Sequence, residues 1–210
     1  MTWPTDPRPA YRAGAGPLRD LGPYAIEQLA GLVGPIVRVS CISTISRSDF
    51  AAYGDGPFGG VAVHVETPDT VVLACELVGS ALAVVDCSFG PVQASSPNIE
   101  VFGLEGSLEL WTRYGQDLGP RLRTYRRGRD RPGVWTDADT ASDTARQRRI
   151  NELGRAVLVE HLLDVLDGST PNRLTAQAGR HVVAVIAAAE ESARSGRAEV
   201  VKAPPSREAA

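Results

Sequence analysis

The chain of 210 residues holds one lysine, one methionine and three cysteines. The lysine, Lys202, lies beyond the last periodic segment, so no lysine is available inside the expected fold for proton transfer. Cys41, Cys75 and Cys87 sit in apolar strand-like runs. An odd number without metal-ligand spacing reads as buried, reduced thiols. His64, His161 and His181 are scattered singly, and no pair has ligand spacing, which predicts no metal site. No apolar run approaches the roughly 20 residues of a membrane helix. The N-terminus lacks the basic and apolar regions of a signal peptide, so the expectation is a cytoplasmic protein without a membrane partner. No glycine-rich dinucleotide fingerprint sits between a strand and a helix. The formal net charge of -3 gives no global attraction to nucleic acid. The arginine-rich stretch from Arg121 to Arg131 is followed by Asp137, which predicts a solvated hairpin with local ion pairs.

What is present is an ordinary globular composition, 43% hydrophobic and 22% charged. Residues 1–13 carry three prolines and read as an extended lead-in. Pro17 suits a first helical turn, and Leu18, Leu21, Ile26, Leu29 and Leu32 give an amphipathic pattern ended by Gly34-Pro35. Gly22-Pro23 should break or bend that helix, because Pro23 cannot donate to the carbonyl four residues back. Strands are expected over residues 36–43, 61–66, 70–77, 81–89, 98–102 and 107–111, with 121–126 a further candidate. Gly79-Ser80 reads as a hairpin turn. Two helices follow, over 151–167 and 174–193, ended by Gly168 and Gly196, and then a short edge strand over 198–201. Strands that succeed one another without intervening helices predict an α+β fold. The expectation is a large, mainly antiparallel open sheet with the helices packed on one face. The expected domain spans 14–202, and the tail 203–210 is expected to be disordered. Apolar residues on both strand parities, as in Val71-Val72-Leu73, point to a second sheet face buried in a partner.

The segment Gly14-Ala15-Gly16-Pro17-Leu18-Arg19-Asp20-Leu21-Gly22-Pro23-Tyr24 carries the candidate chemistry. Asp20 and Tyr24 are four residues apart, which places a carboxylate and a phenol on one helical face. Such a pair can orient and protonate a hydroxyl or carbonyl. The plain alternatives are a first-turn acid that complements the helix dipole and a half-buried aromatic. Arg19, Tyr11 and Gly16 are the candidate substrate-binding residues beside them, although a solvated helix arginine is the more ordinary reading of Arg19.

This segment is similar to the glycine-rich opening and Asp-x-Gly-x-His/Tyr motif of the C-terminal domain of Gfo/Idh/MocA oxidoreductases. The run from Leu32 to Val39 resembles that domain's helix-to-strand exit. The run from Ile99 to Leu108 resembles its Gly-Thr-Glu-Gly-Thr-Leu hairpin, and residues 155–201 resemble its closing helix pair and last strand. The resemblance implies an α+β domain that contributes substrate contacts and an open sheet for dimerisation. It implies NAD or NADP as cofactor, held by an N-terminal Rossmann domain, and a sugar, cyclitol or related polyol or ketone as substrate. It places Asp20 on the substrate-orienting acid and Tyr24 on the acid-base position. The Rossmann half and the lysine of the family's Glu-Lys-Pro motif have no counterpart in this sequence. The expectation is a half-enzyme inactive without a Rossmann partner; the alternative is a non-catalytic, sheet-mediated dimer or sugar-binding regulatory module.

Overall fold

A computed structural model describes residues 5–90, 96–111, 121–138, 154 and 156–202. The chain divides into two compact units, Met1–Val92 with Arg173–Ala210, and Gln93–Asn172.

In the first unit the lead-in is not wholly extended: Arg8–Tyr11 forms a 3-10 turn whose last residue, Tyr11, is buried. Helix α1 (Pro17–Asp20) starts with proline in its first turn, where the missing N–H costs nothing. Pro23 then withholds the donor that would continue the ladder, and α2 (Gly22–Leu32) begins afresh. Gly34, at φ 138°, turns the chain into Pro35 and strand β1 (Ile36–Thr44). Next come β2 (Asp49–Ala51), β3 (Ala62–His64), β4 (Thr70–Leu77) and β5 (Leu82–Ser88). Gly79 and Ser80, at φ 88° and 68°, lie in the turn between β4 and β5, which the Ser80 amide closes by donating to the Leu77 carbonyl at 3.3 Å.

The second unit contains β6 (Ile99–Phe102), β7 (Gly106–Trp111), β8 (Arg121–Arg126), β9 (Thr136–Asp137) and helix α3 (Ala156–Leu166). The chain returns to the first unit through α4 (Ala176–Ser195) and β10 (Glu199–Val200).

The α+β expectation holds, and every strand pairing is antiparallel. One large sheet is not what the described strands form. They make a four-stranded sheet in the order β10-β1-β4-β5, a two-stranded β2-β3 ribbon, and a four-stranded sheet in the order β6-β7-β8-β9. Helices α1, α2 and α4 pack into the core of the first sheet, whereas α3 belongs to the second unit and buries no residue.

The first core follows from strand alternation. Val71, Leu73, Cys75 and Leu77 of β4 point inward while Val72 and Ala74 point out. Leu73, Val39, Ile26 and Val185 are fully buried together. Two buried polar side chains fasten α4 to β1. His181 Nε2 accepts from the Ile36 amide at 3.1 Å, and Ser192 Oγ accepts from the Cys41 amide at 2.9 Å while donating to the Arg197 carbonyl at 2.6 Å. His181 therefore sits at the helix–sheet boundary. Because Nε2 accepts, the neutral ring carries its proton on Nδ1, which has no partner. Burial pushes the His181 pKa down.

In the second unit the ion pairs expected of the arginine-rich hairpin form. Arg121 Nε reaches Asp137 at 2.9 Å, and Arg123 lies 3.4 Å from Glu109. Gly106 is required where β7 crosses β8: a Cβ there would lie 2.2 Å from the Tyr125 carbonyl oxygen.

Candidate functional site

Asp20 is the last residue of α1, and Tyr24 lies in the first turn of α2. Leu21, between the two helices, keeps a right-handed helical backbone at φ -95° and ψ -33°. The proline break therefore interrupts the hydrogen-bond ladder without reversing the chain, and the two residues remain about one turn apart. Both are exposed, Tyr24 to 59%. Carboxylate and phenol thus stand at the surface of the first unit, where a second molecule can reach them.

The three residues expected to bind substrate are placed differently. Tyr11 is 2% exposed. Its ring packs edge-on against Phe50 at 5.0 Å and Phe89 at 5.2 Å, and burial pushes its phenol pKa up. It anchors a small satellite core with Ala52, Val63 and Val65 beneath the β2–β3 ribbon. Gly16 is buried at φ 97°, and a Cβ there would lie 3.1 Å from both the Pro68 carbonyl oxygen and Thr67 Cγ2. Its contribution is backbone: its carbonyl accepts from the Arg19 and Asp20 amides at 3.2 and 3.1 Å, which sets the first turn of α1.

Arg19 is engaged by protein. Its Nε and Nη2 donate to Glu190 Oε1 and Oε2 at 2.6 and 2.9 Å, and Nη1 donates to the Gly14 carbonyl at 2.8 Å. This fork ties the opening loop to α4, and the carboxylate holds the guanidinium pKa up. An anionic ligand would have to displace Glu190. A second tie runs from the Ala13 amide to Glu66 Oε2 at 3.0 Å. Neither Glu190 nor Glu66 could be found from sequence, because each lies more than fifty positions from its partner and follows no local motif.

Gly14-x-Gly16 does not form an open anion nest. The Ala15 amide donates to Arg12 and the Gly16 amide to Ala10, each at 3.0 Å. The helix that follows has only four residues. With all strand pairs antiparallel, the described residues contain no βαβ crevice, so they do not fit a dinucleotide. Among the described residues no group of three or more His, Cys, Asp or Glu is placed to hold a metal ion. The three cysteines are free and buried, and desolvation pushes Cys41, Cys75 and Cys87 up to about 11, 12 and 11. Thiols that stay protonated at neutral pH are poor nucleophiles. No described helix is long and apolar enough to cross a membrane.

The model of the GFO/IDH/MocA C-terminal domain family matches residues 1–109. Among curated proteins no relative matches. Solved structures share the fold. An NAD binding oxidoreductase from Klebsiella pneumoniae superposes with a TM-score of 0.69 at 20% identity, covering 90% of this chain and 51% of that one. The WlbA dehydrogenase from Bordetella pertussis, solved in complex with NADH and UDP-GlcNAcA, gives 0.61 at 16% identity, covering 90% and 48%. The transcriptional regulator Gal80p from Kluyveromyces lactis gives 0.68 at 14% identity, covering 95% and 51%. The chain thus spans about half the length of the structures it matches.

Proposed function

Because this chain belongs to the GFO/IDH/MocA C-terminal domain family, we propose that it is the substrate-binding and oligomerising half of an NAD(P)-dependent oxidoreductase. The substrate class is a sugar, cyclitol or related polyol or ketone, and the setting is the cytoplasm. The observation that carries this reading is the exposed pair Asp20 and Tyr24, held at the family's motif positions on an otherwise well-packed unit.

The chemistry assigned to this chain is confined to its own side chains. Asp20 accepts a hydrogen bond from a substrate hydroxyl and so fixes which carbon is presented. Tyr24 shares a proton with the reacting oxygen. An ordinary phenol, with a pKa near 10, is a weak base at neutral pH and needs a cation nearby. Arg19 is neighbouring in sequence but is committed to Glu190, so that cation comes from outside the described residues. NAD(P) does not fit the described residues, and the nucleotide belongs to a Rossmann domain outside them. When bound there it accepts or gives up a hydride.

The open face of the β10-β1-β4-β5 sheet is the proposed oligomerisation surface. Ile42, Leu82, Val84 and Val200 are exposed on it, flanked by the Arg38–Glu76 ion pair. The three buried, reduced thiols suit a reducing compartment.

The test is reconstitution with a Rossmann domain in trans, assayed with a panel of polyols. Asp20→Asn and Tyr24→Phe should abolish turnover while leaving the complex intact. Turnover unchanged by both substitutions, in an intact complex, would refute the catalytic roles. A second, non-catalytic reading is favoured by the likeness to a transcriptional regulator. In that case the sheet face still assembles and the Asp20 and Tyr24 variants behave as wild type.

A further inference from the structure

The second unit carries an open cleft of about 570 Å³ on one face of the β6-β7-β8-β9 sheet. Cross-strand pairing runs a single row of side chains through it: Val101 opposite Leu108, Leu108 opposite Thr124, and Thr124 opposite Thr136. Arg126 stands two residues beyond Thr124 on the same face, opposite Gly106 of β7. We infer that this cleft is a binding site for a small monocarboxylate with a compact apolar body, and that the Arg126 guanidinium is the partner of its anionic group. The inference uses none of the residues assigned to the oxidoreductase reading and is independent of it.

The row changes character from one edge of the sheet to the other. Val101 on β6 and Leu108 on β7 are half-buried aliphatics, and they make an apolar floor. Thr124 on β8 and Thr136 on β9 bring hydroxyls. Among the described residues neither hydroxyl, and no nitrogen of the Arg126 side chain, has a hydrogen-bond partner. Gly106 contributes no side chain, and a Cβ there would lie 2.2 Å from the Tyr125 carbonyl oxygen. The fold therefore keeps the space across the sheet from Arg126 open.

Charge selects the ligand class. Glu109, Arg121, Arg123 and Asp137 alternate onto the opposite face of the sheet. There Arg121 pairs with Asp137 at 2.9 Å, and Arg123 lies 3.4 Å from Glu109. Asp137 thus borders the cleft with its backbone, and its carboxylate is already engaged. Asp130 Oδ2 accepts the Arg126 backbone amide at 2.6 Å, so it holds the turn and not the guanidinium. Arg126 is left as the charged side chain of the cleft face, and its charge is positive. A guanidinium with two hydroxyls on the same face supplies the donors that a carboxylate accepts. A cationic ligand would be repelled, and a neutral one would forgo the charge-assisted bonds. From β6 to β8 is two strand spacings, about 10 Å. That span suits a molecule whose apolar body lies on Val101 and Leu108 while its carboxylate meets Thr124 and Arg126. At ~30 Å³ per water the cleft corresponds to about nineteen waters, which is room for one such molecule.

The experiment is an NMR titration of the full chain with 3-phenylpropionate, with 3-phenylpropionamide as the uncharged control of the same shape. The inference expects saturable shifts with the carboxylate at residues 101, 106–108, 124–126 and 136–138. The amide should bind about tenfold more weakly or worse, because it lacks the charge-assisted bonds. Arg126 is exposed, so Arg126→Gln should keep its dispersed spectrum. It should lose about tenfold or more in affinity for the carboxylate and little for the amide. Arg126→Lys, which keeps the charge, should retain part of the carboxylate affinity. Equal affinity for the amide, unchanged affinity in Arg126→Gln, shifts confined to Arg127, Arg129 and Arg131, shifts that follow protein concentration instead of ligand, or no saturation would each overturn it.

Discussion

The two faces of the β10-β1-β4-β5 sheet are built from the same strands and both carry aliphatic residues, yet they have opposite fates. On one face Val39, Cys41, Leu73, Cys75, Val85 and Cys87 are packed beneath α1, α2 and α4. On the other, Ile42 is 80% exposed and Val84 75%. Cross-strand pairing lines the open face into continuous rows: Ser40 opposite Ala74 opposite Val84, and Ile42 opposite Val72 opposite Asp86. Scattered surface apolars need no explanation, but rows across three strands form a patch of the kind that marks an interface. Arg38, Glu76 and Asp86 all lie on the open face, and the covered face is closed in part by α4, more than a hundred residues from β1 in sequence.

The largest expected effect breaks this comparison directly. Leu73→Ala should cost about 2–5 kcal/mol, because the site is fully enclosed. Val84→Ala on the open face should stay within about 0.5 kcal/mol in the isolated chain. Urea unfolding of both variants decides the matter; equal losses would mean that the open face is core in solution.

Next in size is Ser192→Ala, which removes the acceptor of the buried Cys41 amide. Leaving that donor unsatisfied should cost about 1–3 kcal/mol, read in the same unfolding experiment.

A smaller effect concerns pH. His181 is buried and its folded-state pKa is depressed by desolvation. The unfolded ring titrates near 6.5. Between the two values the unfolded chain binds the extra proton, so the contribution of His181 is complete above about pH 6.5 and is lost as pH falls. His64 has the opposite sign: Asp49 holds its pKa up, so its contribution is present at low pH and lost as pH rises, though both groups are exposed. A His181→Gln variant should therefore show a flatter decline in melting temperature between pH 7 and pH 5 than the wild type. An unchanged decline would contradict the assignment.

The smallest is Ser80→Gly. Ser80 holds φ 68° in the turn that joins β4 to β5. Glycine relieves that strain, although it also makes the unfolded chain more flexible. A net gain of up to about 1 kcal/mol is expected, seen as a higher urea midpoint with an unchanged slope.

Much of this molecule was legible in its sequence, and the gaps have identifiable causes. Alternation and turn residues located β1, β4 and β5 to within about a residue, since each is long enough to show a period of two. Strands β2 and β9 have three and two residues and carry no period at all. How the described strands group into sheets was not legible, because pairing between successive strands does not dictate pairing between successive hairpins. In the candidate site, the motif located Asp20 and Tyr24, and the structure leaves both exposed. Tyr11 and Gly16 are buried, which the motif did not show, because proximity in sequence to a motif says nothing about which way a residue faces. Arg19 looked available for a ligand because its partner, Glu190, is supplied by the far end of the chain. The tail from residue 203 and the start of the helix expected over 151–167 lie outside the described residues, apart from Gly154.

The central claim is that the described residues present a substrate surface and do not themselves hold the nucleotide. It is tested most directly by fluorescence titration of the purified chain with NADH and NADPH. The account predicts no saturable binding by the chain alone. Micromolar binding that survives dilution to a monomer would contradict it, and would mean that these antiparallel sheets hold a dinucleotide by a geometry other than a βαβ crevice.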